Sequence, residues 1–187
     1  MLIMLTFIIL IPGCLAFVHN MHSVRKNFKT LKKQNYTVDE LQAMSKALKR
    51  PLPQIAILVP ARNEGLVIGN TVRRLANMDY PKDCYRVIII VDERELDDDV
   101  ERFTKDVVHE TAAPIHEKYG LKFIETVEVP KWYSGKFGSW EQTFKKSTKG
   151  RALNYTLQML YSDPKFEDIE MFGVLDADGR LDTDVLK

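Results

Sequence analysis

Five consecutive apolar residues open the globular part of the chain, in the sequence Ile55-Ala56-Ile57-Leu58-Val59-Pro60-Ala61-Arg62-Asn63-Glu64. Residues 55–59 show no alternation of apolar and polar side chains, which is typical of a strand buried on both faces of a sheet. Residues 60–65 have the composition of a turn. The segment 66–78 that follows places its apolar residues on one side of a helix. This stretch therefore predicts a strand, a turn and a helix in that order.

The same order recurs along the rest of the chain. Buried strands are predicted at 87–91 and at 171–175, and a further strand is predicted near 122–127. Helices are predicted around Val100 to Val108 and over 149–161. Strands that alternate with helices predict an α/β fold, with a Rossmann-like, mostly parallel sheet covered by helices on both faces.

The composition is that of a folded protein without an excess of either charge. The 187 residues include 27 lysines and arginines against 26 aspartates and glutamates, for a net charge of +1, and 45% of the residues are hydrophobic. This balance excludes a disordered tail and argues against a nucleic-acid binder, which carries a clear cationic excess. Cys14 and Cys84 lack metal-ligand spacing, so neither a disulfide framework nor a zinc site is predicted.

The first 24 residues contain no Asp, Glu, Lys or Arg. A helix of about 18–24 residues is long enough to cross a bilayer core of about 30 Å. We therefore predict a transmembrane anchor at 1–24. A cleaved signal peptide would need a positive charge before the apolar run, and a buried core helix would need a shorter one.

A basic segment follows the predicted anchor, with Arg25, Lys26, Lys29, Lys32 and Lys33. Basic residues remain on the cytoplasmic side of a membrane, so we expect a single-pass membrane protein whose soluble domain is cytoplasmic. Residues 25–53 are predicted to be a helical juxtamembrane linker, with a helix over 38–48. The linker either lies along anionic headgroups or is solvated. The α/β domain then occupies residues 54–187.

Ligands of parallel α/β sheets bind at the carboxyl ends of the strands, where this sequence places acidic residues. Residues 60–64 follow the first predicted strand, Asp92 follows the second, and Asp176-Ala177-Asp178 follows the fourth. The glycine-rich dinucleotide motif and the P-loop motif are both absent from the sequence. Acidic residues at strand ends, with Lys149 and Arg151 at the start of a helix, suit a divalent metal and a nucleoside diphosphate.

Asp176 and Asp178 are separated by one residue directly after a strand, where alternation points both side chains to the same side. Two such carboxylates bind a hard cation, which can neutralise the charge on a leaving diphosphate. The alternative is an ordinary strand-to-turn pair of aspartates. Lys149 and Arg151 begin a helix, where cations are unfavourable unless an anion is present. They indicate either diphosphate binding or a solvated basic turn.

Four segments combine these features: Val59-Pro60-Ala61-Arg62-Asn63-Glu64, Val91-Asp92, Lys149-Gly150-Arg151-Ala152-Leu153-Asn154 and Asp176-Ala177-Asp178-Gly179. In this order they resemble the motifs of family 2 glycosyltransferases with the GT-A fold, particularly the membrane-bound, processive type related to cellulose and hyaluronan synthases. The resemblance extends from residue 55 to the last residue. It implies a GT-A-like fold and transfer of a sugar from a nucleotide donor.

The resemblance also implies a UDP-sugar donor, Mg²⁺ or Mn²⁺ as cofactor, and inverting transfer to a glycan or lipid acceptor. Asp176 and Asp178 would hold the metal. Asp92 and Glu64 would face the nucleoside, although Asp92 is also placed as a helix cap. The donor-binding residues that the resemblance implies are Pro60, Arg62, Glu64, Asp92, Lys149, Arg151, Asn154 and Asp176.

The match is to the donor-binding half of the family. Its acceptor-binding region and catalytic base have no counterpart here, so we expect the base outside this chain and a second polypeptide as one candidate partner. An alternative function is that of a non-catalytic partner, which pairs with a second half or with a full-length enzyme. The sequence departs from the family after Asp92, and the acidic residues 97–101 are predicted to begin a helix.

Aromatic residues are interleaved with lysines over 129–147. They are Trp132, Tyr133, Phe137, Trp140 and Phe144. Such residues either stack sugars, bases or lipid headgroups, or pack over a sheet edge or another part of the protein. The sequence leaves both functions open.

Overall fold

The apolar run predicted as the first strand forms β1, Gln54–Ala61, in a computed structural model that describes residues 36–134, 136–137, 140–141 and 148–187. The other strands are β2 (Tyr85–Asp92), β3 (Ile124–Val129), β4 (Lys136–Phe137), β5 (Trp140–Glu141) and β6 (Ile169–Val174). The helices are α1 (Val38–Leu48), α2 (Ile68–Ala76), α3 (Thr104–Tyr119) and α4 (Lys149–Ser162). Short 3₁₀ turns span Glu93–Asp97 and Pro164–Phe166.

Four parallel strands form the central sheet, in the order β3-β2-β1-β6. At the centre of β1, Ile57 pairs with Val87 on one side and with Gly173 on the other. α2 joins β1 to β2, α3 joins β2 to β3, and α4 precedes β6, as parallel strands require. The predicted parallel α/β sheet is confirmed. β4 and β5 form a separate antiparallel pair.

β1 is buried on both faces, as its lack of alternation predicts. Ile57 belongs to a hydrophobic cluster with Val72 of α2 and Val108 of α3. Its neighbour Leu58 belongs to a second cluster, together with Leu160 of α4. Because successive side chains of a strand point to opposite faces, α2 and α3 cover one face of the sheet and α4 covers the other.

The prediction that the fourth strand is buried is wrong. In β6, Met171 is 55% exposed and Val174 is 53% exposed. Among the described residues β6 pairs with β1 alone, so it forms an edge of the sheet. The apolar run indicated the strand correctly, but a run of apolar residues does not specify how many neighbours a strand has.

The prediction that the acidic residues 97–101 begin a helix is also wrong. These residues follow the 3₁₀ turn Glu93–Asp97, and α3 begins only at Thr104. The Asp98 carboxylate instead accepts a hydrogen bond from Arg62 Nη2 at 2.7 Å. The run therefore forms a loop that binds back to the segment after β1.

α1 has the predicted bounds, and none of its residues is buried, although Leu41 packs in part against the first hydrophobic cluster. The predicted anchor at 1–24 lies outside the described residues. Within the part of the chain that the structure describes, no helix combines the length and the apolar character needed to cross a membrane.

Candidate functional site

A cleft of about 190 Å³ opens at the carboxyl ends of β1 and β2, beside the first turn of α4. Four of the predicted donor-binding residues line it: Pro60, Arg62, Asp92 and Lys149. The remaining walls come from Ala61, Ile90, Thr148 and Ala152. Because parallel strands end at the same edge of a sheet, residues that are 89 positions apart in the sequence meet there.

Asp92, the last residue of β2, is held in place from two sides. Its Oδ1 accepts a hydrogen bond from the Arg94 backbone N–H at 3.0 Å, which confirms the helix-cap role that the sequence suggested. Its Oδ2 accepts a hydrogen bond from Arg151 Nη1 at 2.6 Å. The side chains of Arg151 and Asp92 are 0% and 3% exposed, so this is a buried ion pair. Asp92 thus lines the cleft with a carboxylate that is fixed in orientation and almost fully enclosed by the protein.

The Arg151 guanidinium donates hydrogen bonds to the protein from all three of its nitrogen atoms. Besides Asp92, it donates from Nε to the Tyr133 carbonyl at 2.8 Å and from Nη2 to the Pro130 carbonyl. Arg151 was predicted to lie near a diphosphate. The structure places its side chain in the interior, with no exposed surface, and it connects α4, the end of β2 and the segment after β3. Its recorded contact with the cleft is the ion pair with Asp92.

Lys149 differs from Arg151, because its side chain is partly exposed at the mouth of the cleft. Thr148 caps α4 through its Oγ1, which accepts a hydrogen bond from the Arg151 backbone N–H at 3.1 Å. The Lys149 ammonium forms an ion pair with Asp176 Oδ1. α4 therefore begins with one buried cation and one that faces solvent.

Asp176 and Asp178 are both exposed, and the residue between them, Ala177, is 4% exposed. The Ala177 carbonyl accepts a hydrogen bond from Thr71 Oγ1 at 2.5 Å, and the Gly179 N–H donates to the Asp176 carbonyl at 2.8 Å. The strand-to-turn geometry is therefore present. It leaves both carboxylates available at the surface, on either side of a buried residue.

The chemistry of these two carboxylates fits a divalent cation. Mg²⁺ is usually held by one or two carboxylates, with the remaining ligands supplied by phosphates and water. The Lys149 ammonium on Asp176 shows that this carboxylate accepts a cation. Among the described residues, no group of three or more His, Cys, Asp or Glu side chains is placed to hold a metal ion.

Glu64 lies near Asp178 rather than in the lining of the cleft. Burial raises the pKa of the Glu64 carboxyl above its usual value, and the negative charges of Asp178 and Glu95 raise it further. Asn154, one turn after Arg151 on α4, also lies outside the cleft lining, and its Oδ1 accepts a hydrogen bond from Gln158 Nε2 at 3.3 Å. The structure thus does not bring these two residues to the cleft.

The loop after β1 is fixed by a buried network that the sequence did not reveal. The Glu64 N–H donates to Thr104 Oγ1 at 2.9 Å. The Thr104 hydroxyl donates to Glu95 Oε1 at 2.8 Å, and the Thr104 N–H donates to the same oxygen at 2.7 Å. Glu95 is 4% exposed and Thr104 is 0% exposed. In the sequence, Glu95 is one member of a long acidic run, so no local signal marks it as buried.

Three further features shape the same loop. Asn63 has a φ of 61°, in the left-handed region that asparagine tolerates. A Cβ at Gly65 would collide with the carbonyl of Arg102, so the loop after β1 and the segment before α3 approach too closely for any other residue. The Arg62 guanidinium holds the pKa of Asp98 below its usual range through hydrogen bonds. The loop is therefore held at both sides by contacts with the segment before α3.

Comparison with known proteins finds sequence similarity to glycosyltransferases. The chain is 30% identical over 98 residues to the probable glycosyltransferase YdaM of Bacillus subtilis, a match that covers 52% of this chain and 21% of YdaM. It is 45% identical over 42 residues to the beta-monoglucosyldiacylglycerol synthase of Synechocystis sp., covering 22% of this chain and 9% of the synthase. The chain thus spans about a fifth or less of the length of these relatives.

Among solved structures, TarS 1–349 of S. aureus in complex with UDP-GlcNAc is similar, with a TM-score of 0.39 and 16% identity. That match covers 67% of this chain and 26% of TarS. No family model matches the chain. The sequence similarities support a glycosyltransferase.

Proposed function

We propose that this chain is the donor-binding part of a glycosyltransferase, with a GT-A-like fold and a UDP-sugar as donor. The observation that carries the proposal is the cleft at the ends of β1 and β2, which joins a fixed carboxylate, Asp92, to an accessible cation, Lys149. A nucleotide-sugar has a base that donates hydrogen bonds and a diphosphate that carries negative charge. The sequence similarity to two glycosyltransferases favours this ligand over other nucleotides.

Asp92 is suited to bind the base. Its carboxylate is oriented by Arg151 and by the Arg94 N–H before the ligand arrives, so little conformational entropy is lost on binding. A carboxylate in a site shielded from water also makes stronger hydrogen bonds to an N–H donor than it would at the surface. Pro60 and Arg62 would form the opposite wall against the nucleoside.

Lys149 is suited to bind the diphosphate directly, and the two aspartates are suited to bind it through a divalent cation. We infer that an arriving diphosphate attracts the Lys149 ammonium away from Asp176, because phosphate oxygens carry more negative charge than one carboxylate. Asp176 would then be free to hold Mg²⁺ or Mn²⁺ together with Asp178. When bound, such a cation would neutralise the negative charge that develops on the departing diphosphate.

The transfer that we propose is an inverting one. A hydroxyl of a glycan or lipid acceptor attacks the anomeric carbon of the sugar, the bond from that carbon to the diphosphate breaks, and the hydroxyl proton passes to a base. We assign no described residue as that base. The N-terminal membrane anchor, the cytoplasmic location, the processive type and a second polypeptide all remain predictions. No described contact favours the non-catalytic alternative.

Titration calorimetry with UDP, with and without Mn²⁺, tests the donor site. We expect Mn²⁺ to tighten UDP binding, and Asp178→Ala to weaken the Mn²⁺-dependent binding about tenfold or more. Asp168→Ala is the matched control. Asp168 is also an exposed aspartate, but it lies just before β6, whereas Asp178 lies after it. UDP affinity that is independent of Mn²⁺ and unchanged in Asp178→Ala would contradict the proposed site.

A further inference from the structure

Two of the cations that line the cleft are paired with aspartates in different ways. Arg62 comes from the loop after β1, and Lys149 comes from the first turn of α4. Arg62 donates from Nε at 3.0 Å and from Nη2 at 2.7 Å to one carboxylate oxygen, Asp98 Oδ2. The Lys149 ammonium contacts Asp176 Oδ1 as a single point of charge. The two pairs therefore differ in how firmly they orient the cation.

The Arg62 pair is also the better shielded of the two. The side chains of Arg62 and Asp98 are 33% and 28% exposed, whereas those of Lys149 and Asp176 are 47% and 66% exposed. A less exposed ion pair is screened less by water and salt, and a guanidinium held by two of its nitrogens is fixed in its plane as well as in its position. A diphosphate in the cleft should therefore displace Asp176 from Lys149 more readily than Asp98 from Arg62.

Asp98 is itself held in place by the loop that carries it. Its backbone N–H donates to the Glu95 carbonyl at 3.0 Å, and the buried Glu95 carboxylate accepts two hydrogen bonds from Thr104. Hydrogen bonding from Arg62 keeps the pKa of the Asp98 carboxyl below its usual value, so this group is ionised near neutral pH. Arg62 thus lines the cleft with its charge already balanced by a fixed carboxylate.

This difference assigns the two cations to different parts of a nucleotide. Resting on the donor-binding function proposed above, we propose that Asp98 is a positioning residue, which holds the Arg62 guanidinium as a flat wall for the base of the donor. The planar guanidinium stacks on nucleic-acid bases, which an ammonium cannot do. Because Asp98 balances the charge of Arg62, the diphosphate is left to Lys149 and to the divalent cation.

Titration calorimetry of the full 187-residue chain with UDP and with pyrophosphate, each with Mg²⁺, separates contacts to the base from contacts to the diphosphate. We expect Arg62→Ala to weaken UDP binding about fivefold and to leave pyrophosphate binding unchanged. Arg62→Lys keeps the charge but not the planar group, so it should weaken UDP binding as much as Arg62→Ala does. Lys149→Ala should weaken the binding of both ligands.

A double-mutant cycle tests whether Asp98 acts through Arg62. Asp98→Asn should weaken UDP binding about threefold, because a neutral amide holds the guanidinium less firmly, and should have no further effect when Arg62→Ala is present. Its affinity for pyrophosphate should be unchanged or higher, which a general loss of the fold would not produce. Asp99→Asn is the matched control: Asp99 is the exposed neighbour of Asp98, and its substitution removes the same charge and should leave UDP binding unchanged.

The other outcomes separate the positioning role from the donor site. If UDP binds but neither Arg62→Ala nor Asp98→Asn weakens it, the positioning role is refuted and the donor site stands. Equal loss of UDP and pyrophosphate binding in Arg62→Ala, with both retained in Arg62→Lys, would assign Arg62 to the diphosphate and overturn its contact with the base. Additive effects of the two substitutions would show that Asp98 does not act through Arg62. If the wild-type chain does not bind UDP, the donor-binding function fails and the positioning role fails with it.

Discussion

The Arg151 guanidinium donates a hydrogen bond to the Asp92 carboxylate at 2.6 Å, and neither side chain has appreciable contact with solvent. The pair connects α4 to the end of β2, and through the carbonyls of Pro130 and Tyr133 it also fixes the segment after β3. Removing water from two charges is costly, and the cost is offset only when both are fully hydrogen-bonded. We therefore expect the pair to contribute to the stability of this region and to hold Asp92 in place at the cleft.

We expect Arg151→Met to lower the free energy of unfolding by about 3–5 kcal/mol, because it leaves the Asp92 carboxylate buried without its partner. Urea denaturation followed by circular dichroism measures this change. The partly exposed pair of Arg86 and Glu125 provides the control, since Arg86→Gln should cost only about 0–1 kcal/mol. If both substitutions lowered the free energy of unfolding equally, burial of the Arg151 pair would have no effect on the cost of breaking it.

The sequence predicted which strand ends meet at the cleft, but not how the side chains pair there. Buried strands of a parallel sheet must end at one edge, so Pro60, Arg62 and Asp92 were correctly placed together. The side chain of Arg151 points inward because two carbonyls after β3 accept its remaining donors. That arrangement depends on the path of a loop, and no spacing in the sequence specifies such a path.

The difference between local and long-range structure also explains the errors in the predicted fold. Local apolar runs identified β1, β2 and β6, because a strand is a local structure. The exposure of β6 depends on how many strands lie beside it, which is a property of the sheet. The acidic run after β2 looked like a helix start, yet its members serve different purposes: Glu95 is buried against Thr104, and Asp98 binds Arg62.

A second prediction concerns Thr104, whose hydroxyl connects the loop after β1 to Glu95. Thr104→Val removes the acceptor of the Glu64 N–H and a donor to the Glu95 carboxylate. Leaving buried polar groups without partners costs about 1–3 kcal/mol. Urea denaturation should therefore show a free energy of unfolding that is lower by this amount.

The matched control for Thr104 is Thr156 on α4. It is also 0% exposed, but its hydroxyl has no hydrogen-bond partner in the described part of the chain. Thr156→Val removes a buried hydroxyl that makes no hydrogen bond in the described part of the chain. The free energy of unfolding should therefore stay unchanged or rise slightly. A loss of stability in Thr156→Val as large as that in Thr104→Val would contradict the role given to the network.

A third prediction concerns the close approach at Gly65. Gly65→Ala places a methyl group against the Arg102 carbonyl, and the displacement of backbone should cost about 1–3 kcal/mol. Gly150→Ala adds the same methyl group on α4, where no described atom outside the helix's own backbone and the two chain neighbours lies within 4 Å, and should stabilise the helix by about 0.5–1 kcal/mol. Thermal unfolding should therefore show shifts of opposite sign, and shifts of the same sign would exclude the contact with Arg102 as the cause.

The last prediction uses the raised pKa of Glu64, which is caused first by burial and then by the charges of Asp178 and Glu95. At a pH between the unfolded-state value, about 4.3, and the raised folded-state value, the folded protein holds a proton on Glu64 that the unfolded chain has released. The contribution of Glu64 to stability is therefore highest at low pH and is lost as the pH rises through the folded-state pKa.

The Gln side chain of Glu64→Gln does not ionise, so it avoids the cost of a buried charge. The free energy of unfolding of this variant should exceed that of the wild type by little at pH 4 and by more at pH 7. Urea denaturation at both pH values measures the difference. Asp178→Asn should reduce the same pH dependence only in part, because burial is the larger cause of the shift. The exposed Glu167 serves as control, and Glu167→Gln should follow the wild type. A Glu64→Gln advantage that is constant from pH 4 to pH 7, or that shrinks as the pH rises, would show that the carboxyl of Glu64 ionises without penalty and would remove the electrostatic link between the loop after β1 and Asp178.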